Sequence, residues 1–191
     1  DPAVAEDCDV VIVTVGTPLT DSDPDLTAVE TASEELAPHI NPQTLVIYRS
    51  TLPANTTEET IMPILEHGSG LSVGDDFYLS FCPERMAEGS AYEDLTSIPV
   101  VVGGVTDGCQ ARTEQFWEYC GTQTISVSSP TAAELTKLAD NWWIDLNIAL
   151  ANEIARLSEE IGVDAMEVIN AANTLPKGQH NVNILYPGAG V

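Results

Sequence analysis

Up to about residue 128 the chain alternates short, uninterrupted apolar runs with stretches of helical spacing. The runs VVIVTV from Val10, TLVIY from Thr44 and IPVVVGG from Ile98 have the length of strands and little polar alternation, the pattern of strands covered on both faces. DFYLSFCPER from Asp76 and TQTISVSS from Thr122 add two further strands that end in polar residues. Between them, DLTAVETASEELAPHI from Asp25, TTEETIMPILEHG from Thr56 and DGCQARTEQFWEYC from Asp107 carry helical spacing, the first with Thr27 as its expected cap and Pro38 and Pro42 closing it. This alternation predicts an α/β fold, part of a doubly wound Rossmann-like sheet with helices on both faces and ligand chemistry at the strand ends.

After Ser129 the pattern is helical only. One long helix is expected from about Pro130 to Ile161, broken at Gly162, and a shorter one from Asp164 to about Asn173, with NTLPKGQHNVNILYPGAGV closing the chain as a loop. The expected division is therefore residues 1–128 as part of one sheet domain and 129–191 as an all-α helical domain. The first apolar run lies so close to the start that the chain reads as opening in the middle of a fold.

Charge changes the picture of the surface. The formal net charge is -24, from 30 acidic and 6 basic residues, and the acids are spread along the whole length, as in TDSDPDLT and LSEEIGVD. Such a surface repels itself in dilute buffer and is relieved by salt screening, which fits a halophilic protein; an acidic protein of ordinary habitat is the other reading. Nucleic acid is excluded as a partner because phosphate contacts need clustered Lys and Arg. No apolar stretch has the length of a membrane span and no signal-peptide pattern opens the chain, so a soluble cytoplasmic protein with no membrane partner is expected. Cys8, Cys82, Cys109 and Cys120 form no metal spacing and read as reduced thiols. Cys82, followed by Glu84 and Arg85, is either a nucleophile or a small buried thiol at a strand end.

In so acidic a chain a lysine inside a largely apolar helix asks for a reason. Lys137 and Asn141 lie four apart and share a helix face, with Thr136 and Asp140 alongside. An ammonium and an amide aimed at one point stabilise an oxyanion; the competing reading is a surface pair of Lys137 with Glu134. Three strand-end loops add hydroxyls, backbone amides and carboxylates: GTP at 16–18, RSTLP at 49–53 and PERMAEG at 83–89, where Glu84 or Glu88 is a candidate base or hydroxyl ligand.

Taken in order, VGTPL with DPDLTAVE, STLPANTTEE, CPERMAEGSAYEDL, VVVGGV, TAAELTKLADNWWIDLNIALANEIARLSEEIGVD and NVNILYPGAGV resemble the nucleotide-sugar 6-dehydrogenases, the UDP-glucose/GDP-mannose dehydrogenase family. The resemblance implies an NAD-binding domain, a central helical dimerisation domain giving a homodimer, and oxidation of a sugar C6 alcohol to the uronate by two NAD in succession, for polysaccharide or glycan synthesis. It implies that Lys137 and Asn141 hold the C6 oxyanion, that Thr51 orders water and meets the cofactor, and that Glu84 serves thioester hydrolysis. Gly16, Thr17, Pro18 and Glu88 would line the nicotinamide pocket. Glu84, Arg85, Asn183, Ile184, Tyr186 and Gly188 would join Lys137 and Asn141 around the UDP-sugar.

The same resemblance implies pieces that this stretch does not hold. The G-x-G-x-x-G turn and the ribose-binding acid are expected upstream of Asp1; the catalytic cysteine and the nucleotide-sugar domain are expected after Val191. The stretch by itself is accordingly expected to be inactive. CPER and NTLPKGQHNVNILYPGAG resemble the UDP-N-acetylmannosamine and UDP-N-acetylglucosamine branch more than the UDP-glucose branch, with Lys177 and His180 standing where that branch has an arginine. A non-catalytic dimerisation module and a 3-hydroxyacid dehydrogenase relative are the alternatives.

Overall fold

The computed structural model describes residues 1–21, 23–86, 97–175 and 183–189. It divides into two compact units, Asp1–Leu138 and Ala139–Val191. The division falls inside one continuous helix.

The first unit is built on a five-stranded sheet in the order β1-β4-β5-β6-β7. Its strands are β1 (Val10–Val13), β4 (Leu45–Tyr48), β5 (Tyr78–Phe81), β6 (Val100–Gly104) and β7 (Thr124–Ser126), while β2 (Leu19–Thr20) and β3 (Asp23–Pro24) form a separate small hairpin. β1, β4 and β5 are mutually parallel, with Val13 beside Tyr48 and Tyr48 beside Phe81, so their C-terminal ends lie side by side. β6 runs antiparallel to β5 and parallel to β7. The strand-and-helix alternation did not anticipate that reversal. A strand's direction is set by the connection that leads into it and not by its own apolar pattern.

Successive residues of β4 face opposite layers, as pleating demands. Val46 and Tyr48 join Val29, Leu36, Ile61, Leu65 and Phe81 under α1 (Thr27–Leu36) and α2 (Met62–Ser69). Leu45 and Ile47 join Val100, Val102 and Trp117 under α3 (Asp107–Tyr119). The helices therefore cover both faces, as the apolar runs predict. β1 departs from the prediction of a strand buried on both sides: Ile12 is 40% exposed, because β1 is the edge of the described sheet.

Local chemistry sets the helix ends. Thr27 is the first residue of α1 and not its cap; the Asp25 carboxylate accepts from the Thr27 N–H at 2.9 Å. A π-helical turn over Thr57–Ile61 leads into α2, where Pro63 has no N–H to give to an ordinary α-helical bond. Thr106 caps α3 by accepting from the Cys109 N–H.

At the end of β6, two glycines admit neighbouring backbone. A Cβ on Gly103 would lie 2.4 Å from the Ser129 carbonyl oxygen, and one on Gly104 would lie 2.3 Å from the Gln110 nitrogen. Glycine is required at both because backbone passes directly over the strand. The chain thereby enters α4 (Pro130–Ile161) against the end of the sheet.

α4 runs for 32 residues and ends where Gly162 takes φ 76°, open to glycine at little cost. Beyond it, Asp164 caps α5 (Ala165–Ala172). In the second unit Ala151, Ser158 and Ile169 are buried, whereas Trp142, Trp143, Leu146, Leu150 and Leu157 are exposed.

Candidate functional site

The site grows from the parallel alignment of β1, β4 and β5, which brings three loops to one edge of the sheet. The backbone carries the strand pairing one step further: the Arg49 N–H donates to the Val13 carbonyl at 3.0 Å, and the Glu84 N–H to the Arg49 carbonyl at 3.3 Å. Side chains then lock the first two loops. Thr17 Oγ1 donates to the Thr51 carbonyl at 2.7 Å, and Ser50 Oγ donates to the Val15 carbonyl at 2.6 Å. Thr17, Thr51 and Glu84, three of the residues singled out from sequence, thus stand on adjacent, mutually bonded loops. The Glu84 carboxylate accepts from the Met86 N–H.

Gly16 and Pro18 are exposed, and a Cβ on Gly16 would meet nothing within 4 Å. Packing inside the chain therefore does not require glycine at position 16, and there is open space above its backbone at the strand end. Glu88, Lys177 and His180 lie outside the described residues.

Beside this edge lies a small pocket lined by Arg49, Pro83, Arg85, Met86, Ile98 and Trp117, with room for about one water-sized body, 20 Å³. The Arg49 guanidinium lies 4.9 Å from the centre of the Trp117 ring, a cation–π contact, and its Nη1 is buried without an acceptor. Burial lowers its pKa, and the nearby Cys82 and Glu84 oppose that shift. Arg49 belongs to the RSTLP loop without standing out in any motif. Its signal was available, as a basic residue at a strand end in a chain with few.

Cys82 resolves into the blander of its two readings. It is fully buried, and burial pushes its thiol up to about 12, with Trp117 and Arg49 only partly offsetting the effect. Full burial at the end of β5 fits a small packing residue rather than a nucleophile.

On α4, Lys137 and Asn141 are both half-buried and one turn apart. The surface pair of Lys137 with Glu134 does not form. Glu134 is fully buried, and its Oε1 accepts from both the Thr57 N–H at 2.8 Å and Thr57 Oγ1 at 2.6 Å, while Oε2 has no partner. Burial raises the Glu134 pKa from its ordinary value, opposed by the two Thr57 bonds. One turn earlier, Thr131 Oγ1 lies 3.0 Å from both Asn55 Oδ1 and Glu58 Oε2. These contacts lash the start of α4 to the stretch just after Thr51. Sequence does not announce them, because a glutamate in an acidic chain has the pattern of solvated surface.

In the second unit, Asn183, Ile184, Tyr186 and Gly188 lie on one short segment without regular structure. Among the described residues no His, Cys, Asp and Glu cluster could hold a metal.

The comparison with known proteins decides the family. Residues 2–120 match the UDP-glucose/GDP-mannose dehydrogenase family, NAD binding domain, and residues 131–191 match the same family's central domain. The chain belongs to the UDP-glucose/GDP-mannose dehydrogenase family. UDP-N-acetyl-D-mannosamine dehydrogenase of Pyrococcus horikoshii is 38% identical over 182 residues, 95% of this chain and 42% of that protein. NDP-N-acetyl-D-galactosaminuronic acid dehydrogenase of Ralstonia solanacearum is 36% identical over 193 residues, covering 97% and 45%. The solved Pyrococcus horikoshii structure superposes with a TM-score of 0.89 over 98% of this chain and 44% of its own. The UDP-glucose dehydrogenase of Pyrobaculum islandicum, 28% identical, superposes with a TM-score of 0.82 over 92% and 41%. The chain spans less than half the length of these relatives.

Proposed function

We propose that the chain is part of an NAD-dependent nucleotide-sugar 6-dehydrogenase that oxidises the C6 alcohol of a UDP-N-acetylhexosamine, UDP-N-acetylmannosamine foremost, to the uronate. One observation carries the reading: the bonded loops at the ends of β1, β4 and β5 bring Thr17, Thr51 and Glu84 together, in a chain 38% identical to a protein named for that sugar. The overall change is one alcohol, two NAD⁺ and one water going to one carboxylate, two NADH and three protons.

The strand-end edge fits a flat cofactor ring, since the space over Gly16 is open and the Thr17 hydroxyl is anchored beside it. NAD, when bound there, supplies the hydride acceptor. Gly16, Thr17 and Pro18 would hold its nicotinamide end, together with Glu88. Lys137 and Asn141 direct an ammonium and an amide from one helix face toward the C6 oxygen, where they stabilise its developing negative charge. Thr51 orders the water consumed in the second half-reaction and Glu84 holds its proton. Arg85, Asn183, Ile184, Tyr186 and Gly188 bind the nucleotide sugar.

Homodimerisation belongs to the same reading, and the exposed Trp142, Trp143, Leu146 and Leu150 of α4 supply an apolar face for it. So does a cytoplasmic location, in keeping with the four free cysteines. Among the described residues no helix is long and apolar enough to cross a membrane. The net charge of -24 supports adaptation to high salt.

The test is NADH formation by the complete protein that carries this chain, in molar salt, with UDP-N-acetylmannosamine, UDP-N-acetylglucosamine and UDP-glucose offered separately. Two NADH per acetylated sugar, abolished by Lys137→Ala, is the expected result. Turnover of UDP-glucose alone would move the substrate to the other branch, and no turnover by a folded dimer would favour a non-catalytic dimerisation module.

A further inference from the structure

The segment 183–189 has no helix or strand of its own, yet every second residue from 184 to 188 is tied down. Asn173, the C-terminal cap of α5, donates from Nδ2 to the Ile184 carbonyl at 2.8 Å and accepts the Ile184 N–H on Oδ1 at 2.8 Å. Asn152 on α4 does the same to Gly188, donating to its carbonyl at 2.8 Å and accepting its N–H at 2.9 Å. Between them the Tyr186 hydroxyl donates to Asn170 Oδ1 at 3.3 Å.

A carboxamide presents one donor and one acceptor at nearly the spacing of a peptide group, so an asparagine bonded to both backbone groups of one residue imitates a rung of a sheet. Two such rungs four residues apart fix position, direction and register at once. A carboxylate cannot replace either amide, because it has no hydrogen to offer the carbonyl. Acids are abundant along this chain, with 30 in 191 residues, yet both positions carry the amide.

We infer that Asn152 and Asn173 are positioning residues, which hold the 183–189 segment so that Asn183, Ile184, Tyr186 and Gly188 meet the nucleotide sugar in a fixed register. The inference rests on the nucleotide-sugar reading for its ligand, and on the two double hydrogen bonds for its mechanism. The asparagines touch the segment and act on the ligand only through it.

The test uses the complete protein with Asn152→Asp, Asn173→Asp and the double variant. Hydrogen exchange, which needs no substrate, reads the fastening: peptides covering 183–189 are expected to lose protection while those of α4 away from Asn152 keep theirs. Kinetics read the consequence. The KM for the UDP-sugar is expected to rise about tenfold with the KM for NAD within about twofold, because ordering the segment becomes a cost of binding sugar alone. That penalty shrinks as the pH is lowered and the new acid takes up a proton, since a protonated carboxyl again offers one donor and one acceptor. Unchanged exchange in the double variant would overturn the fastening. Loosened exchange with an unchanged sugar KM, or an equal rise in both KM values, would overturn the positioning role. Intact fastening in a protein that turns over no nucleotide sugar would instead strike the functional reading.

Discussion

Replacing Glu134 tests whether a buried carboxylate lashes the start of α4 to the stretch just after Thr51. Glu134→Ala leaves two donors of the fully buried Thr57, its N–H and its Oγ1–H, without their acceptor. Each stranded donor costs about 1–3 kcal/mol, and the vacated volume adds to it, so a loss of at least about 3 kcal/mol is expected. For a cooperatively unfolding unit of about 150–250 residues, about 3 kcal/mol is a fall in Tm of about 6–12 °C. Glu134→Gln retains the acceptor oxygen and removes the charge, so at neutral pH it should stay within about 1 kcal/mol of the parent.

The two variants also separate by pH. Because the folded-state pKa of Glu134 is raised, the folded state holds a proton that the unfolded state has lost, between the ordinary glutamate pKa and the raised value. In that window this group's contribution to stability falls as pH rises, and Glu134→Gln should remove that slope. The assay is calorimetric unfolding of the complete protein from about pH 4 to pH 8. An alanine variant as stable as the parent, or a glutamine variant as damaged as the alanine one, would refute the lash.

Other features carry their own expected outcomes. Gly103→Ala should cost at least about 1–3 kcal/mol, since its Cβ must displace the Ser129 carbonyl; an unchanged Tm would contradict the close approach. A thiol reagent at pH 8 should label the exposed Cys120 and leave Cys82 unmodified until the protein unfolds, which peptide mapping checks. Raising potassium chloride from about 0.1 to about 1 M shortens the screening length from about 10 to about 3 Å, so Tm should rise by several degrees. A flat Tm would count against the reading of the acidic surface as salt-adapted.

Periodicity located all five strands of the main sheet and the helices over them, because an apolar run and a helical stripe are local patterns that tertiary packing then uses. The α4 limits at Pro130 and Ile161 were legible for the same reason: Pro and Gly punctuate locally. Strand direction was not local. Nothing within VVVGG distinguishes a β6 parallel to β5 from one antiparallel to it. Thr17, Thr51 and Glu84 were recognisable as loop residues, but the bonds that assemble them join positions 34 or so apart in sequence and depend on the sheet order. Glu134 was read as surface because its partner, Thr57, lies 77 residues away. Asn152 and Asn173 went unnoticed because an asparagine in or beside a helix carries no pattern that announces a remote backbone partner.

The fastenings of this molecule are almost independent of its net charge. Thr17 on Thr51, Ser50 on Val15 and the two asparagines on Ile184 and Gly188 are neutral contacts, and Glu134 is the one buried acid among the described residues. Apart from the few acids that hold a helix end or Thr131, such as Asp25, Asp164 and Glu58, acids can therefore accumulate or disappear over the exterior, one substitution at a time, without loosening the framework inside. For a lineage moving between dilute and saline habitats, surface charge becomes a freely adjustable trait, and the architecture beneath it can be inherited unchanged.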